Sequence, residues 1–264
     1  MFEMEVPAGE VTDLFLTHLH SDHLCGLPDF WMTGWFMLHR AKPLCVRGPT
    51  GTQRFVDGLR RAFAFDIEVR PQGGLAPSPQ GQHLECEEFA EGVVFEHGAV
   101  RVISFLVDHG PAAPSYGFRV ECRGRRIVLS GGTTWCENLI EHARGADLLI
   151  QELAAAGEGL YLRNAITRRV LAIHTTPEQA ADIFSKARPR LAVYNHISLL
   201  DITEREVLAQ TARGYDGEVV MGEDRMEIVV GDACRILRPQ RLPDLPDLVA
   251  KDMVPSADRE GTQP

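Results

Sequence analysis

One short segment constrains this chain more than any other. His18-Leu19-His20-Ser21-Asp22-His23 puts three imidazoles and a carboxylate into six positions, directly after the apolar run Leu14-Phe15-Leu16 and Thr17. The alternation of His18 and His20 places both on one side of an extended segment. Asp22 and His23 stand just beyond, where a turn into a helix can aim them at a neighbouring ion. Neutral imidazoles and a carboxylate suit Zn2+ and tolerate Mn2+ or Fe2+. Such donors need a rigid base, so the spacing calls for a strand that ends at Leu16 and turns its ligands outward.

The remainder alternates between two periodicities. Apolar runs bounded by Gly, Pro or polar clusters read as strands at residues 100–107, 117–122, 127–129, 148–150, 191–194 and 226–230. Helical spacing appears at 52–63, with Phe55, Leu59 and Phe63 on one face. It recurs at 177–188, with Thr176 as N-cap and Pro177 at the first position, and at 202–213, with Thr203 as cap and Val207 and Leu208 as apolar contacts. Strands mixed with helices predict an α/β sandwich. Residues 73–82, rich in Gly, Pro, Ser and Gln, read as a mobile loop. Residues 239–264, with repeated prolines and charges, read as a tail outside a domain spanning 1–238.

Composition excludes several classes. A net charge of −10 over 264 residues gives no global attraction to phosphate backbones. No apolar run approaches the roughly 18–20 residues of a membrane helix, so no membrane partner is expected. The acidic start Met1-Phe2-Glu3-Met4-Glu5 lacks a signal-peptide pattern, and six scattered cysteines form no C-x-x-C pair. Both features point to reduced thiols in a cytoplasmic protein.

His-x-His-x-Asp-His after an apolar strand resembles the metallo-β-lactamase fold. The resemblance continues in order from about residue 11 to 196. Thr33-Gly34-Trp35, the stretch 43–52, Asp108-His109-Gly110, Pro114-Ser115-Tyr116-Gly117-Phe118-Arg119, Ser130-Gly131-Gly132-Thr133, Gln151-Glu152, His174-Thr175-Thr176 and Asn195-His196 look like the ribonuclease Z and arylsulfatase-like branch. That resemblance implies an αβ/βα sandwich with two adjacent metal sites. His18, His20 and His109 would hold one ion; Asp22, His23 and His196 would hold the other. His174 would act beside the substrate as proton donor or oxyanion stabiliser, with Glu152 behind it, and Asp22 would also orient the attacking hydroxide. Two ions about 3.5–4 Å apart clamp the oxygens of an in-line displacement.

The chain departs from the family pattern in three places. Gly132 stands where the family has the aspartate that bridges both metals, which implies one tightly held zinc instead of two. Gln151 replaces a histidine before Glu152. The metal motif also starts almost at the first residue, so the first strands of the sandwich are absent from the pattern; an exposed sheet edge covered by a homo-oligomer is the expectation. Only residues 120–129 separate Arg119 from Ser130, with no room for the basic arm by which ribonuclease Z proteins grip tRNA. The sequence reading is therefore a metal-dependent hydrolase of a small phosphodiester or aryl sulfate ester, working through a metal-activated hydroxide on a small-molecule anionic substrate, with tRNA disfavoured. Its alternatives are a non-catalytic remnant or binding protein of the same fold, and a ribonuclease Z-type tRNA 3′-endonuclease. Trp31, Trp35, Phe36 and Arg119 are candidates for an apolar pocket with an anion contact. His39, His83, His97 and His142 match no motif and read as surface residues.

Overall fold

The computed structural model describes residues 6–73 and 78–238. Most of the loop expected at 73–82 is described, but its residues 74–77 and the whole tail 239–264 lie outside the described residues. Two sheets face each other. In the smaller, β1 (Asp13–Phe15), β2 (Leu44–Gly48) and β3 (Leu84–Glu88) run parallel in that order. Among the described residues β1 pairs with β2 alone, so its other edge carries no strand.

The larger sheet has seven strands: β4 (Gly92–His97), β5 (Val100–Val107), β6 (Ser115–Cys122), β7 (Arg125–Leu129), β8 (Leu148–Ala156), β9 (Leu191–Leu200) and β10 (Val219–Met221). The first four form an antiparallel meander, and β7 through β10 pair in parallel. A ribbon of β11 (Glu227–Val230) and β12 (Cys234–Leu237) packs on Leu148, Leu191 and Val193.

Helices cover the outer faces. The single turn α1 (Ser21–Leu24) follows β1. Next come α2 (Leu27–Phe36) and α3 (Thr52–Ala62), which bury Trp31, Trp35 and Val56 against Leu44, Val46 and Leu84 of the small sheet; the short α4 (Ala64–Val69) extends that layer. On the large sheet, α5 (Glu137–Ala143), α8 (Pro177–Ala187) and α9 (Glu204–Thr211) pack on Phe105, Val128, Leu149, Leu153 and Tyr194. The short pair α6 (Glu158–Arg163) and α7 (Ala165–Leu171) lies between β8 and His174. Between the sheets the contact is aromatic. Phe15 meets Phe95 and Phe118 edge-on at 5.7 and 5.8 Å, and Phe89 meets Tyr116 and Phe118 at 5.2 and 5.7 Å. The order helix, sheet, sheet, helix is the αβ/βα sandwich that the resemblance implies. No helix among the described residues is long and apolar enough to cross a membrane.

Local chemistry explains the well-anticipated elements. Thr176 and Gln179 form a reciprocal capping box at the start of α8, with Pro177 in its first turn, and Thr203 and Glu206 do the same for α9. The aromatic residues proposed for a pocket sit elsewhere. Trp31 and Trp35 are at most 1% exposed, and their indoles donate to Gln82 O at 3.0 Å and Ser78 O at 2.9 Å. Phe36 packs under the Arg70 guanidinium, and Arg119 pairs with Glu121 at 3.0 Å. All four are engaged in packing or in a surface ion pair.

The glycine of Tyr116-Gly117-Phe118 has a packing reason. A Cβ there would lie 2.4 Å from Phe105 Cζ and 2.9 Å from Leu129 O, and Phe105 is buried in the core. Gly117→Ala therefore overpacks a stiff ring and should cost about 1–3 kcal/mol. A urea midpoint equal to that of the parent chain would contradict this.

Candidate metal centre

The site gathers where the strands of the two sheets end. Leu16 N donates to Arg47 O at 2.8 Å, and Tyr116 N donates to Thr17 O at 2.9 Å, so the segment after β1 is tied to both sheets before the histidines begin. His20 is extended (φ −65°, ψ 145°) and starts α1, which carries Asp22 and His23. His109 follows β5, and His174 follows α7.

His196 arrives by a distortion of β9. Asn195 pairs with Glu152 and Ile197 with Leu153, so His196 is an extra residue in the ladder, and its φ is +46°. A bulge with a left-handed residue re-aims a side chain at some backbone cost, and such features collect at functional sites.

Three groups of donor atoms result, each within 4.8 Å of one another: His18, His20 and His109; Asp22, His23 and His196; and Glu152, His174 and His196. The first is the more enclosed, with His18 and His109 each 1% exposed. The second is open, with side chains of Asp22, His23 and His196 exposed by 63%, 30% and 36%. The groups adjoin, because the rings of His18 and His23 are 4.4 Å apart. All six residues proposed as metal ligands, with Glu152 and His174 beside them, are thus brought together. Among the four histidines read as surface residues, His142 instead stacks on Phe105 at 4.2 Å.

The electrostatics favour neutral rings. Burial, then His23 and His109 close by, lowers the His18 pKa to about 3. Burial also lowers His109 and His23 below the ordinary histidine value. His109 Nδ1 is 2.7 Å from Ile173 O, and since a carbonyl only accepts, that nitrogen carries the hydrogen. Nε2 then carries the lone pair. It is buried and has no hydrogen-bond partner among the described residues. A neutral imidazole fixed by a carbonyl behind it, with its other nitrogen unpartnered in a cluster of donors, is a metal-ligand arrangement. The donor set therefore fits divalent ions.

His174 behaves oppositely. Its Nδ1 is 2.8 Å from Glu152 Oε2, and that hydrogen bond raises its pKa despite burial. Glu152 is 2% exposed; its other oxygen accepts from Thr175 N at 2.7 Å and Thr133 N at 3.4 Å. Both threonines lie in motifs read from the sequence, but their role at Glu152 is a backbone N–H contribution that residue type does not announce. Thr175 Oγ1 donates to Thr133 O at 2.7 Å and accepts from Gln151 Nε2 at 3.0 Å. Gln151 thus holds the frame in a way its amide suffices for.

Gly132 lies against the first group. A Cβ there would sit 2.9 Å from His109 Nε2 and 3.0 Å from His18 Cε1, so a side chain at 132 would point among the imidazoles. Its neighbour Gly131 has φ +66° and no room for a Cβ, which would lie 2.3 Å from Tyr116 O. His18, His23, His174, His196, Glu152 and Gly132 line a cavity of about 330 Å3.

Comparison with known proteins agrees with this geometry. Residues 6–197 match the family model described as the beta-lactamase superfamily domain. A ribonuclease Z of Mycolicibacterium gilvum is 32% identical over 231 residues, covering 85% of this chain and 80% of that protein. Human tRNase Z, short form, superposes with a TM-score of 0.60 at 23% identity, over 86% of this chain and 82% of that one. The metallo-beta-lactamase fold protein YhfI from Bacillus subtilis also gives 0.60, at 18% identity, over 83% and 78%. These likenesses overturn the expectation of a small-molecule anionic substrate with tRNA disfavoured, since curated relatives along most of the chain are named ribonuclease Z. That expectation rested on net charge and on a missing arm. A global sum of charges says nothing of the local field at a cavity mouth.

Proposed function

Because the chain belongs to the beta-lactamase superfamily and is a metal-dependent hydrolase, we propose that it cuts an RNA phosphodiester as a ribonuclease Z-type tRNA 3′-endonuclease. His18, His20 and His109 would hold one divalent ion, and Asp22, His23 and His196 a second; the imidazole-rich set suits zinc. When bound, such ions supply a Lewis acid and bring the pKa of water to about 7.

The chain's own groups handle orientation and protons. The observation that carries this reading is an acid beside the two donor groups. The His174 ring is 5.1 Å from that of His109 and 5.8 Å from that of His196, and Glu152 keeps it readily protonated. With Nδ1 engaged by Glu152, Nε2 is the atom that can pass a proton to the leaving oxygen. Burial pulls Asp22 upward, but its backbone hydrogen bond and the nearby His23 and His196 outweigh it and hold the carboxyl below its usual range. Asp22 is therefore ionised at neutral pH, ready to orient the attacking nucleophile. All six cysteines are free thiols, which supports a cytoplasmic location.

Two outcomes follow. His174 must be protonated to act, and its raised pKa extends the active range upward in pH. Glu152→Gln removes the hydrogen-bonded charge, so the alkaline limb of kcat/KM on a precursor tRNA should move to lower pH and kcat should fall by roughly 10²-fold. An alkaline limb that stays in place would remove His174 from the acid's role. For metal, Asp22 is the one carboxylate in the two donor groups, and Gly132 supplies none between them. After exhaustive dialysis the chain should retain about one ion, in the enclosed histidine group. Gly132→Asp should raise retention toward two, with the His109 and His18 rings giving way by a few tenths of an ångström. Two full equivalents by mass spectrometry in the parent chain would refute the asymmetry.

A further inference from the structure

A tRNA-sized substrate needs contacts beyond the scissile bond. The turn joining β6 and β7, where a basic arm would leave the fold, is only Arg123-Gly124 between the paired ends Cys122 and Arg125. It also sits at the far end of the sheet. The eight residues of β6 span roughly 25 Å, and the cavity is at their other end. The two arginines that follow the turn on β7 are engaged, Arg125 at 2.5 Å from Asp232 and 3.8 Å from Asp147 and Arg126 at 3.8 Å from Glu121, so the turn itself is left with Arg123 alone.

The pair α6–α7 has the opposite properties. It connects β8, which carries Glu152, to His174, and Ile173 at its end supplies the carbonyl that fixes His109. Between Gly157 and Ile173 the charges are Glu158, Arg163, Arg168 and Arg169, a local excess of positive charge in an acidic chain. Arg168 Nη1 donates to Tyr161 O at 2.8 Å and Leu162 O at 2.9 Å, and so locks α7 to the end of α6. Arg169 is exposed and makes no hydrogen bond or ion pair among the described residues, and Arg163 holds Asp201 only loosely at 3.7 Å, both side chains being two-thirds exposed. Tyr161, Leu162 and Ile166 are 43%, 67% and 70% exposed, three large apolar side chains on this short pair that no element among the described residues covers.

We propose that α6–α7, the segment that runs directly into His174, is an RNA-docking platform that holds the substrate strand near the scissile phosphodiester. Arg169 and Arg163 contact backbone phosphates, and Tyr161, flanked by Leu162 and Ile166, offers a face on which a base stacks. Phosphate is the ligand that free guanidiniums select, and exposed aromatic faces beside them suit unpaired bases at an RNA end. This proposal rests on the ribonuclease reading and deepens it.

The test is fluorescence anisotropy of a labelled precursor tRNA with the full-length, zinc-loaded chain. Arg169→Glu and Tyr161→Ala should each weaken binding about 10-fold or more, with metal content and thermal unfolding as in the parent. Arg169→Ala should also flatten the plot of log affinity against log salt by roughly 0.7–0.9. Arg123→Glu, at the far hairpin, should leave binding as it was. Parent-like affinity in the Arg169 and Tyr161 variants would overturn the platform while leaving the ribonuclease reading intact. A parent chain that binds no RNA would overturn both. A dimer that Ile166→Glu dissociates, with RNA affinity unchanged, would assign the face to a second copy and equally overturn the proposal.

Discussion

One buried carboxylate holds the site together. Glu152 is almost without solvent, and a charge in that position is costly unless it is fully hydrogen-bonded. Its partners come from different stretches of chain: Thr133 N from the turn after β7, and Thr175 N and His174 Nδ1 from the segment before α8. Satisfying Glu152 therefore requires the Ser130–Thr133 turn, β8 and the His174 segment to be in register together. The same turn is further pinned by Ser130 Oγ, which accepts from Glu152 N at 3.0 Å, and by Ser115 Oγ, which donates to Gly132 O at 2.9 Å. Folding energy spent on one ion thus becomes positional accuracy for the groups around the cavity.

The imidazoles pose the complementary problem. Four rings, those of His18, His20, His23 and His109, lie within 5.0 Å of at least one neighbour. Were they charged they would repel one another in a setting with little water, which is why burial and mutual proximity hold His18, His23 and His109 neutral. Neutral rings present lone pairs, and lone pairs are what a cation seeks. His174 is excluded from this logic only because Glu152 touches it. Histidines held neutral and one held readily protonated are separated by the placement of a single carboxylate.

The segment His18 to His23 was legible because its histidines and Asp22 are close in sequence and His18 and His20 alternate at the period of a strand. His109, His174 and His196 were legible only through a family resemblance, since nothing in an apolar run followed by one histidine distinguishes a ligand from a satisfied strand end. The bulge at His196 left no trace at all: a left-handed residue inside a strand is normally announced by glycine or asparagine, and here the local strain is carried by histidine. Strands β8 and β9 outran their apolar runs because Gln151-Glu152 and Asn195-His196 interrupt the hydrophobic pattern with polar groups, of which Glu152, Asn195 and His196 line the histidine cavity, while the ladder continues through them. Helix α2 was hidden by Pro28 and Gly34. Pro28 is harmless in a first turn, and Gly34 is required, since a Cβ there would strike the buried Arg40 guanidinium at 2.5 Å.

Charge was the least transferable of the sequence signals. The net value of −10 is a sum over the whole surface, whereas a polyanion approaching a cavity responds to charges within about a Debye length, roughly 8–10 Å. The arginine-rich stretch most visible in sequence, Arg123 to Arg126, is partly neutralised by Glu121, Asp147 and Asp232, and stands at the wrong end of the sheet. The arginines of α6–α7 are equal in number but less conspicuous; they have little to neutralise them, and their segment ends at Ile173, whose carbonyl orients His109. What decides whether a cation meets phosphate is its distance from the reacting bond and the acids beside it. Neither quantity exists in a composition; both are properties of the folded chain.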